Sequence, residues 1–336
     1  MVSLKDIAAR CGVSVATVSK ALNNQQDISV ETRERIQNAA AEMGYMANAA
    51  ARALKTNRSY NIGVLYIDPQ HSGLAHEYFS SVLDSFRVEA EHRGYDITFI
   101  RSSFESGSSG SYLQHCLYRG LEGVVIVCAD FDDPLVIELV ESGLPVVTLD
   151  HVFNNHIAIL SDNILGMETL TRFVIEKGHR KLAFLHGEPT SVTKNRLTGF
   201  HRACRDAGIT LPDTWLRTSP YHDPESCYRT TKELLAVSDR PTCIFFPDDF
   251  SFIGGLNAIH DLGLRVPDDV SAVGYDGIPL SRMFNPRLTT WKQDTKELGR
   301  LAVASLVELI ESPQTAILDR HIVYGSLLEG DSVRQL

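Results

Sequence analysis

Residues 2–24 read VSLKDIAARCGVSVATVSKALNN, a stretch with the pattern of two short helices joined by a tight turn. The opening SLKD fits a capping box, and apolar side chains recur at helical spacing from Leu4 to Cys11. Gly12 predicts the end of this helix, because glycine adopts the left-handed conformation at little cost. Ser14 then predicts the cap of a second helix, from Val15 to Asn23.

A third helix is predicted from about Val30 to Met43, with Gly44 at its end. Its inner face carries Thr32, Ile36, Ala39, Ala40 and Met43. Two helices joined by a short turn that contains glycine, with a third helix bracing them, are typical of a helix-turn-helix.

The second helix of this motif enters the DNA major groove and presents its N-terminal residues to base edges. Val18 and Leu22 face the first helix. On the opposite face Lys20 can donate to guanine, while Val15 and Ala16 can contact thymine methyl groups. The alternative is a small protein-interaction bundle with an exposed helix.

The distribution of charge favours DNA, although the net charge of the chain is −10. Residues 1–60 hold eight Lys and Arg and five Asp and Glu, a balance of +3 that leaves −13 for the rest. A basic head on an acidic body is the asymmetry expected when only the head meets a polyanion.

Residues 47–58, ANAAARALKTNR, are a run of good helix formers with one large apolar side chain, Leu54. An isolated helix of this length is marginal in water, because nucleation costs more than a short helix recovers. The alternative, a simple helical linker, does not account for the lone leucine.

From Asn61 onward, buried strand patterns alternate with helical ones. A first series of strands reads NIGVLYI, DITFI, GVVIVCA and PVVTL, and a second reads HIAIL, KLAFLHG, PTCIFF and VSAVGY. This alternation predicts parallel, doubly wound sheets in two lobes. The tail, from LTTWKQDTKELGRLAVASLVELI to AILDRHIVYGSLLEG, is expected to cross back between them.

Open α/β sheets bind ligands beyond the carboxyl ends of their strands. Carboxylates at these positions can accept hydrogen bonds from hydroxyls, although each could instead cap the next helix. The carboxylates are those of Asp68, Asp150, Asp248, Asp249 and Asp276. Aromatic faces can cover the apolar faces of sugar rings, and the aromatic side chains near the same ends are Tyr78, Phe79, Tyr221, His222 and Phe246.

Several classes of protein are disfavoured. No apolar run reaches the roughly 18 residues that span a bilayer, and the N-terminus lacks a signal-peptide core, so we expect a cytoplasmic protein without a membrane partner. The six cysteines are scattered, so metal sites and disulfides are not expected, and no cofactor is predicted. The absence of G-x-S-x-G, H-E-x-x-H, P-loop and G-x-G-x-x-G motifs argues against an enzyme. A free-standing sugar-binding protein would lack residues 1–58 and need an export signal.

The head, in VSLKDIAARCGVSVATVSKALNN and ISVETRERIQNAAAEMGYMANAAARALKT, resembles the N-terminal domain of the LacI/GalR family of bacterial transcription repressors. The resemblance implies DNA contacts from the helix-turn-helix, the third helix and the hinge. These residues are Ser14, Val15, Ala16, Thr17, Ser19, Lys20, Asn23, Thr32, Arg33, Tyr45, Asn48, Ala51, Leu54 and Lys55.

In that family the segment matching Asn48 to Lys55 is a hinge helix, folded only when two protomers occupy an operator. The leucine matching Leu54 wedges into the minor groove, and such an apolar wedge can unstack a base step and bend the duplex. Ala50, Ala51 and Ala53 are small enough for two hinge helices to lie side by side.

The body resembles the family's effector-binding core, which is similar to type I periplasmic sugar-binding proteins. Matching stretches include SDNILG, KGHRKLAFLHG, RLTGF, GLRVPDDVSAVGYDGIPLSRMFNPRLTT and KELGRLAVASLVELI. The resemblance and the strand-end positions together predict effector contacts from Phe79, Asp150, Arg196, Tyr221, His222, Phe246, Asp248 and Asp276. Purine-responsive members carry a second arginine where this chain has Thr190, so a purine effector is disfavoured.

The predicted fold is an all-α helix-turn-helix head with a hinge helix, joined to an α/β core of two doubly wound parallel-sheet lobes. We expect a DNA-binding domain at 1–46, a hinge and linker at 47–60, and an effector-binding and dimerisation domain at 61–336. Lobe 1 is predicted at about 61–155 and 292–316, and lobe 2 at about 156–291 and 317–336.

The predicted function is that of a homodimeric repressor bound to a pseudo-palindromic operator in double-stranded DNA. Its affinity for the operator would be controlled by a sugar or sugar derivative in the cleft between the lobes. The alternative is an effector-independent or protein-coregulated transcription factor of the same fold.

Overall fold

The computed structural model describes residues 2–25, 27–46, 58–68, 70, 72–101, 103–104 and 108–336. For residues 103, 104, 108 and 109 only the backbone is described. The chain divides into two compact units, Met1–Ser59 and Tyr60–Leu336.

Three helices form the first unit: α1 Leu4–Cys11, α2 Val15–Leu22 and α3 Val30–Glu42. Each follows a serine whose hydroxyl accepts a backbone N–H from the first turn, which satisfies one of the donors left free at a helix start. Ile7, Val18 and Ile36, one from each helix, are fully buried at the centre of this small core. The predicted helix-turn-helix is confirmed.

The helix ends in this unit lie close to those predicted. Gly12 ends α1 in the left-handed conformation, with a φ of 64°. The second and third helices each end one residue earlier than predicted, at Leu22 and Glu42, because Asn23 and Met43 are their C-caps.

The second unit begins with lobe 1, whose sheet has six parallel strands in the order β13-β7-β6-β5-β1-β2. These strands are β1 Asn61–Tyr66, β2 Asp96–Phe99, β5 Val124–Cys128, β6 Val146–Leu149, β7 Ile157–Ser161 and β13 Arg320–Val323. A short antiparallel ribbon, β3 Ser103–Phe104 and β4 Ser108–Ser109, follows β2.

Helices cover both faces of this sheet. One face packs against α4 Glu77–His92 and α11 Thr295–Glu311. The other packs against α5 Tyr112–Arg119 and α6 Pro134–Glu141. Lobe 1 is therefore doubly wound, as its alternating pattern predicted.

The sheet of lobe 2 has six strands in the order β14-β12-β11-β10-β8-β9, parallel except for β14. They are β8 Leu182–His186, β9 Leu216–Thr218, β10 Cys243–Phe245, β11 Ser271–Asp276, β12 Thr289–Lys292 and β14 Ser326–Leu328. One face packs against α7 Asn163–Glu176 and α8 Ser191–Asp206. The other packs against α9 Pro224–Leu235 and α10 Phe252–Asp261.

Two segments lie in the lobe opposite to the one predicted. HIAIL supplies β7, which pairs with β6 of lobe 1 rather than opening the second sheet. Residues 320–323 form β13, which pairs with β7. The predicted lobe boundaries at 155/156 and 316/317 are therefore wrong. A buried parallel strand has the same apolar pattern in either lobe, so only its pairing partner decides where it belongs.

The chain passes between the lobes three times: from β7 to α7, from β12 to α11, and from β13 to β14. The predicted return of the tail is confirmed. These crossings bring the carboxyl ends of strands from both sheets to one cleft. A search of the described helices finds none that is both long enough and apolar enough to span a bilayer.

Candidate functional site

The exposed face of α2 carries the residues predicted to reach base edges. Val15 is 40% exposed and Ala16 and Asn23 are exposed, whereas Val18 and Ala21 on the opposite face are fully buried. Ser14 is occupied as the helix cap, since its hydroxyl accepts the Thr17 N–H at 3.1 Å and bonds the Thr17 hydroxyl at 2.8 Å. The geometry therefore presents a small apolar and polar surface at the start of α2.

Lys20 forms an ion pair with Asp27, from the turn that follows α2. The hydrogen bond from Lys20 lowers the pKa of the Asp27 carboxyl. Both side chains are about half exposed, so the pair is screened by solvent and can exchange partners. Sequence reasoning did not identify this acidic neighbour.

Arg33, one of the predicted DNA contacts, holds the turn between α2 and α3. Its Nη2 donates to the carbonyl oxygens of Gln25 at 2.8 Å and Ile28 at 3.3 Å. Gln37 holds the same region by donating to Asn24 Oδ1 at 2.8 Å. These two long side chains therefore fix the conformation of the turn between α2 and α3.

Two further predicted DNA contacts, Thr32 and Tyr45, lie near the two ends of α3. Thr32 sits in the first turn and accepts a hydrogen bond from the Ser29 hydroxyl at 2.9 Å. Tyr45 packs against the core of the first unit just past Gly44. Asn48, Ala51, Leu54 and Lys55 lie outside the described residues, so the predicted hinge helix stays a prediction.

In the second unit, Arg196 on α8 is the most heavily coordinated side chain of the cleft. Its Nε donates to Asn163 Oδ1 at 2.9 Å and its Nη1 to the Pro247 carbonyl oxygen at 3.0 Å. The guanidinium lies over the rings of Tyr275, 3.6 Å from the centroid, and Tyr221, at 5.3 Å. With 5% exposure, Arg196 is a buried cation that the fold fully positions.

Asp276, at the end of β11, is the charge partner of Arg196, with Oδ1 3.5 Å from Nη2. The same Oδ1 accepts a hydrogen bond from Gln293 Nε2 at 2.8 Å, and Gln293 Oε1 is buried without a hydrogen-bond partner among the described residues. Burial raises the pKa of Asp276 to about 6, and the Arg196 charge offsets this only in part.

Asp150, after β6 in lobe 1, faces the same groups. Its Oδ1 accepts the Ser161 N–H at 2.7 Å, and its carbonyl oxygen accepts the hydroxyl of Ser191 in lobe 2 at 2.8 Å. Burial raises the pKa of Asp150 to about 6, opposed by the Ser161 N–H and the Arg196 charge. The predicted trio of Asp150, Arg196 and Asp276 is therefore brought together from both lobes.

Backbone strain marks the same place. Asp150, His222 and Asp276 have φ values of 51°, 57° and 100°, in the region that favours glycine. Non-glycine residues held there cost on the order of 1–3 kcal/mol each and cluster at binding sites. Three such residues around one cleft indicate that side-chain placement there outweighs local stability.

Aromatic side chains line the cleft from both lobes. Tyr221 accepts or donates a hydrogen bond with the Thr193 hydroxyl at 2.8 Å. Phe79 on α4 packs edge-on against His76, with ring centroids 4.7 Å apart, and His76 in turn stacks on His222 at 4.0 Å. The structure brings His222 of lobe 2 next to the His76–Phe79 pair of lobe 1, and contact of Phe79, Tyr221 and His222 with an effector stays a prediction.

Three of the residues predicted at strand ends make contacts within the fold of lobe 2. Asp248 accepts the N–H groups of His222 and Ser251 at 2.8 and 2.7 Å, so it holds the turn that precedes α10. Asp249 is fully buried and accepts from the Thr290 hydroxyl and the Ile278 N–H. Phe246 is not brought to the cleft: it is 1% exposed and packs on Phe252 in the core of lobe 2.

Sequence reasoning missed Asn163, His76 and Gln293. Asn163 orients Arg196, and the only signal for it was its place in SDNILG. His76 and Gln293 lie in loop and crossing segments, where no periodicity marks a residue. In the described part of the chain, no cluster of His, Cys, Asp and Glu could hold a metal ion.

Comparison with known proteins identifies the family to which this chain belongs. A sequence model described as bacterial regulatory proteins, lacI family, matches residues 3–48, and one described as a periplasmic binding protein-like domain matches residues 171–333. The HTH-type transcriptional repressor PurR of Pectobacterium carotovorum subsp. carotovorum (strain PC1) is 31% identical over 340 residues, covering 99% of this chain and 97% of the relative. This chain belongs to the lacI family of bacterial regulatory proteins.

Two solved structures of transcription regulators are similar to this chain over nearly its full length. The lac repressor dimer bound to operator and the anti-inducer ONPF has a TM-score of 0.83 and 27% identity, with 99% of each chain covered. A complex of the transcriptional regulator CelR with cellobiose has a TM-score of 0.72 and 25% identity, covering 99% of this chain and all of the other. As a lacI family member, the chain is a DNA-binding transcriptional repressor with an effector-binding core, not an enzyme.

Proposed function

We propose that this repressor is a homodimer whose affinity for its operator is set by an uncharged, carbohydrate-like effector in the cleft between the lobes. The observation that carries the proposal is the arrangement around Arg196, with Asp150 from lobe 1 and Asp276 from lobe 2. Carboxylates and a guanidinium at such close range can hold several hydroxyl groups of one ligand at once.

The charge balance of the cleft favours an uncharged ligand. The donors of Arg196 are directed at Asn163, Pro247 and Asp276, which leaves little of its charge to hold an added anion. The raised pKa values of Asp150 and Asp276 show that negative charge is already costly here. A phosphorylated or carboxylated ligand would add to that cost, whereas hydroxyl donors relieve it.

Aromatic groups support a sugar ring. Tyr221 and Phe79 are partly exposed aromatic side chains, one from each lobe. Aromatic groups combined with carboxylates suit a sugar ring, which has apolar faces and polar hydroxyls at its edge. The similar CelR structure is a complex with cellobiose. Purine-responsive members of the family carry arginine where this chain has Thr190, and this difference favours a sugar over a purine as the effector.

On the DNA side, we propose that Val15, Ala16 and Lys20 read base edges while Thr32, Arg33, Tyr45 and Asn48 contact phosphates. Ser14, Thr17, Ser19 and Asn23 would complete the contact surface of α2. A dimer would read two half-sites of a pseudo-palindrome, since its two-fold symmetry is mirrored in the operator. A protein that binds chromosomal DNA in a bacterium would act in the cytoplasm.

The link between the two sites would be the segment at 47–60, between a DNA-binding domain at 1–46 and the effector-binding and dimerisation domain from residue 61. Ala51, Leu54 and Lys55 would contact the minor groove there. An effector that prefers one arrangement of the lobes would change the spacing of the paired hinges, and DNA would reciprocally change affinity for the effector.

A thermal-shift screen of the full-length protein against sugars, sugar phosphates, nucleosides and nucleobases tests the proposal. A ligand at about 100 times its dissociation constant adds roughly 2.7 kcal/mol to the folded state. We expect a shift with one uncharged sugar and none with its phosphate. Asp276→Asn should lose the shift while keeping its own unfolding transition, since it removes one acceptor.

Two outcomes would contradict the proposal. A shift with nucleobases or sugar phosphates alone would assign a different ligand class to the cleft. No shift with any compound, while the protein still selects a DNA sequence from a random pool, would favour the effector-independent or protein-coregulated alternative.

A further inference from the structure

A stack of three rings joins the lobes at the mouth of the cleft. His76, which directly precedes α4 in lobe 1, stacks on His222 of lobe 2 with centroids 4.0 Å and planes 19° apart. Phe250 of lobe 2 covers the other face of His222 at 4.0 Å and 8°. Ser72, from the same loop as His76, bonds His222 Nδ1 through its hydroxyl at 2.8 Å.

The fold holds His222 in place for this contact. Its backbone has a φ of 57°, and its N–H donates to Asp248 Oδ2 at 2.8 Å. Asp248 is itself fixed by the N–H and hydroxyl of Ser251, at 2.7 and 2.8 Å. A strained backbone tied down by a buried carboxylate indicates that the position of this imidazole is selected rather than incidental.

One buried nitrogen of each imidazole lacks a hydrogen-bond partner among the described residues. His76 Nδ1 and His222 Nε2 are buried, and no partner for them lies among the described residues. Adding a proton to both rings would place two cations 4.0 Å apart, with those nitrogens unsatisfied. The stack is therefore compatible with neutral rings and not with a pair of charged ones.

Charged groups surround the two rings and oppose the effect of burial. Burial lowers the pKa of both His76 and His222, and for His222 the nearby His76 acts in the same direction. Asp68 and Asp248 oppose this at both rings, and Asp276 opposes it at His222. The net direction is downward for each ring, so burial outweighs the carboxylates.

We propose that Ser72, His76 and His222 form a proton-sensitive clasp between the lobes, which holds while both imidazoles are neutral and releases when they are protonated. The clasp involves only residues of the core and rests on the proposed function only for its consequence, a change in DNA affinity. With the lobes apart, each ring loses the cover of the opposite lobe, so its pKa moves back towards the ordinary histidine value of about 6.5. The open arrangement then binds more protons, so acidification opens the lobes.

Two carboxylates of the same cleft act in the opposite direction. Asp150 and Asp276 have pKa values raised to about 6 in this arrangement, so they take up protons more readily here than in water. Their protonation favours the arrangement with the lobes together as the pH falls through about 6. The test must therefore compare a clasp variant with the parent rather than rely on the parent alone.

The measurement is methyl and histidine-ring NMR on the full-length, ligand-free protein between about pH 8 and pH 5.5. The reporter is the methyl group of Ile278, a lobe 2 residue buried against the core of lobe 1. In the parent we expect this signal to shift as His76 and His222 titrate, with both ring pKa values below that of a histidine in water. In His76→Phe, which keeps a ring but cannot gain a proton, that part of the Ile278 shift should vanish.

His92→Phe, at the exposed end of α4, is the matched control and should titrate like the parent. The proposal is overturned if Ile278 moves equally in His76→Phe and the parent, or if both rings titrate like free histidine.

Should His76→Phe fail to fold, Ser72→Ala removes only the hydroxyl contact and should open the lobes at a higher pH. An unchanged midpoint for Ile278 in Ser72→Ala would also overturn the proposal. Because no effector or operator is present, failure of the sugar screen leaves this result unaffected.

Discussion

At the residue scale, the ion pair of Lys20 bears on its proposed role as a base reader. Its ammonium group is paired with Asp27, yet both partners are about half exposed. Exchange of a carboxylate for guanine acceptors costs little at such a solvated pair, because surface ion pairs contribute little to stability. The carboxylate also adds negative charge next to the surface that approaches DNA.

Lys20→Ala should relax base preference at one position in each half-site, at a cost of about 1–3 kcal/mol in operator binding. Selection of binding sequences from a random DNA pool measures this directly. Recovery of the same consensus by the variant would show that Lys20 is not a base reader.

Asp27→Asn should have a different signature from Lys20→Ala. It frees Lys20 and removes a negative charge near the DNA backbone, so it should tighten binding to specific and non-specific duplexes alike. Glu42→Gln, which removes an exposed carboxylate paired with Arg10 at the end of α3, is the matched control. Anisotropy titrations at two salt concentrations separate the effects, and unchanged affinity in Asp27→Asn would show that the pair does not restrain Lys20.

At the scale of elements, three closely packed helix pairs of the core each meet at a glycine. A Cβ at Gly199 on α8 would lie 2.2 Å from the Ile164 carbonyl oxygen of α7, and one at Gly299 on α11 would lie 2.5 Å from that of Val82 on α4. A Cβ at Gly254 on α10 would lie 1.7 Å from the carbonyl oxygen of Pro224, at the start of α9. Since each neighbour is backbone, the helices can accept a methyl group only by moving apart.

Gly254→Ala should therefore destabilise lobe 2 by about 1–3 kcal/mol, despite the higher helix propensity of alanine. Asn257→Ala, at an exposed position of the same helix, is the control and should change the free energy of unfolding by less than about 0.5 kcal/mol. Urea unfolding of both variants provides the comparison. Equal stability of Gly254→Ala and the parent would mean that α9 and α10 can separate freely.

The hinge is the other element on which function is expected to depend. Leu54→Ala should weaken operator binding while the thermal shift with the effector is retained, since the side chain would act only as a wedge in DNA. Gel-shift titrations with bent and straight operator fragments measure the loss. Operator affinity equal to that of the parent would exclude the wedge.

At the scale of the whole molecule, the buried carboxylates of the cleft make the stability of the fold depend on pH. Asp150 has a pKa of about 6 in the folded protein, above its ordinary value of 3.8. A raised carboxyl pKa means that the folded state binds protons more readily than the unfolded chain, so its contribution to stability is lost as the pH rises through about 6. At neutral pH the ionised carboxylate is therefore a cost that a ligand can relieve.

Asp150→Asn should raise the free energy of unfolding of the ligand-free protein by about 1–2 kcal/mol above pH 7. The amide can keep the acceptor for the Ser161 N–H, and the advantage over the parent should shrink as the pH falls towards 4. Thermal or urea unfolding across this range measures the difference. A constant difference at all pH values would show that ionisation of Asp150 is not its cause.

The sequence by itself determined the head. Its caps, its glycine stop and its apolar spacing all act within a few residues, so α1, α2 and α3 begin where predicted and end within one residue of the predicted ends. The same local reasoning identified eight core strands and the family resemblance that located Arg196, Asp150 and Asp276. Local signals suffice wherever the partners of a residue are its near neighbours in the chain.

The tertiary structure alone decided what depends on distant partners. Strand β7 belongs to lobe 1 because it pairs with β6, a choice that its apolar pattern does not encode. Phe246 could face ligand or core from its position after a strand, and packing on Phe252 placed it in the core. His76 and His222 are 146 positions apart in the chain, and only the meeting of two lobes makes them neighbours. Contacts between lobes arise from the whole fold, so no short stretch of sequence carries a signal for them.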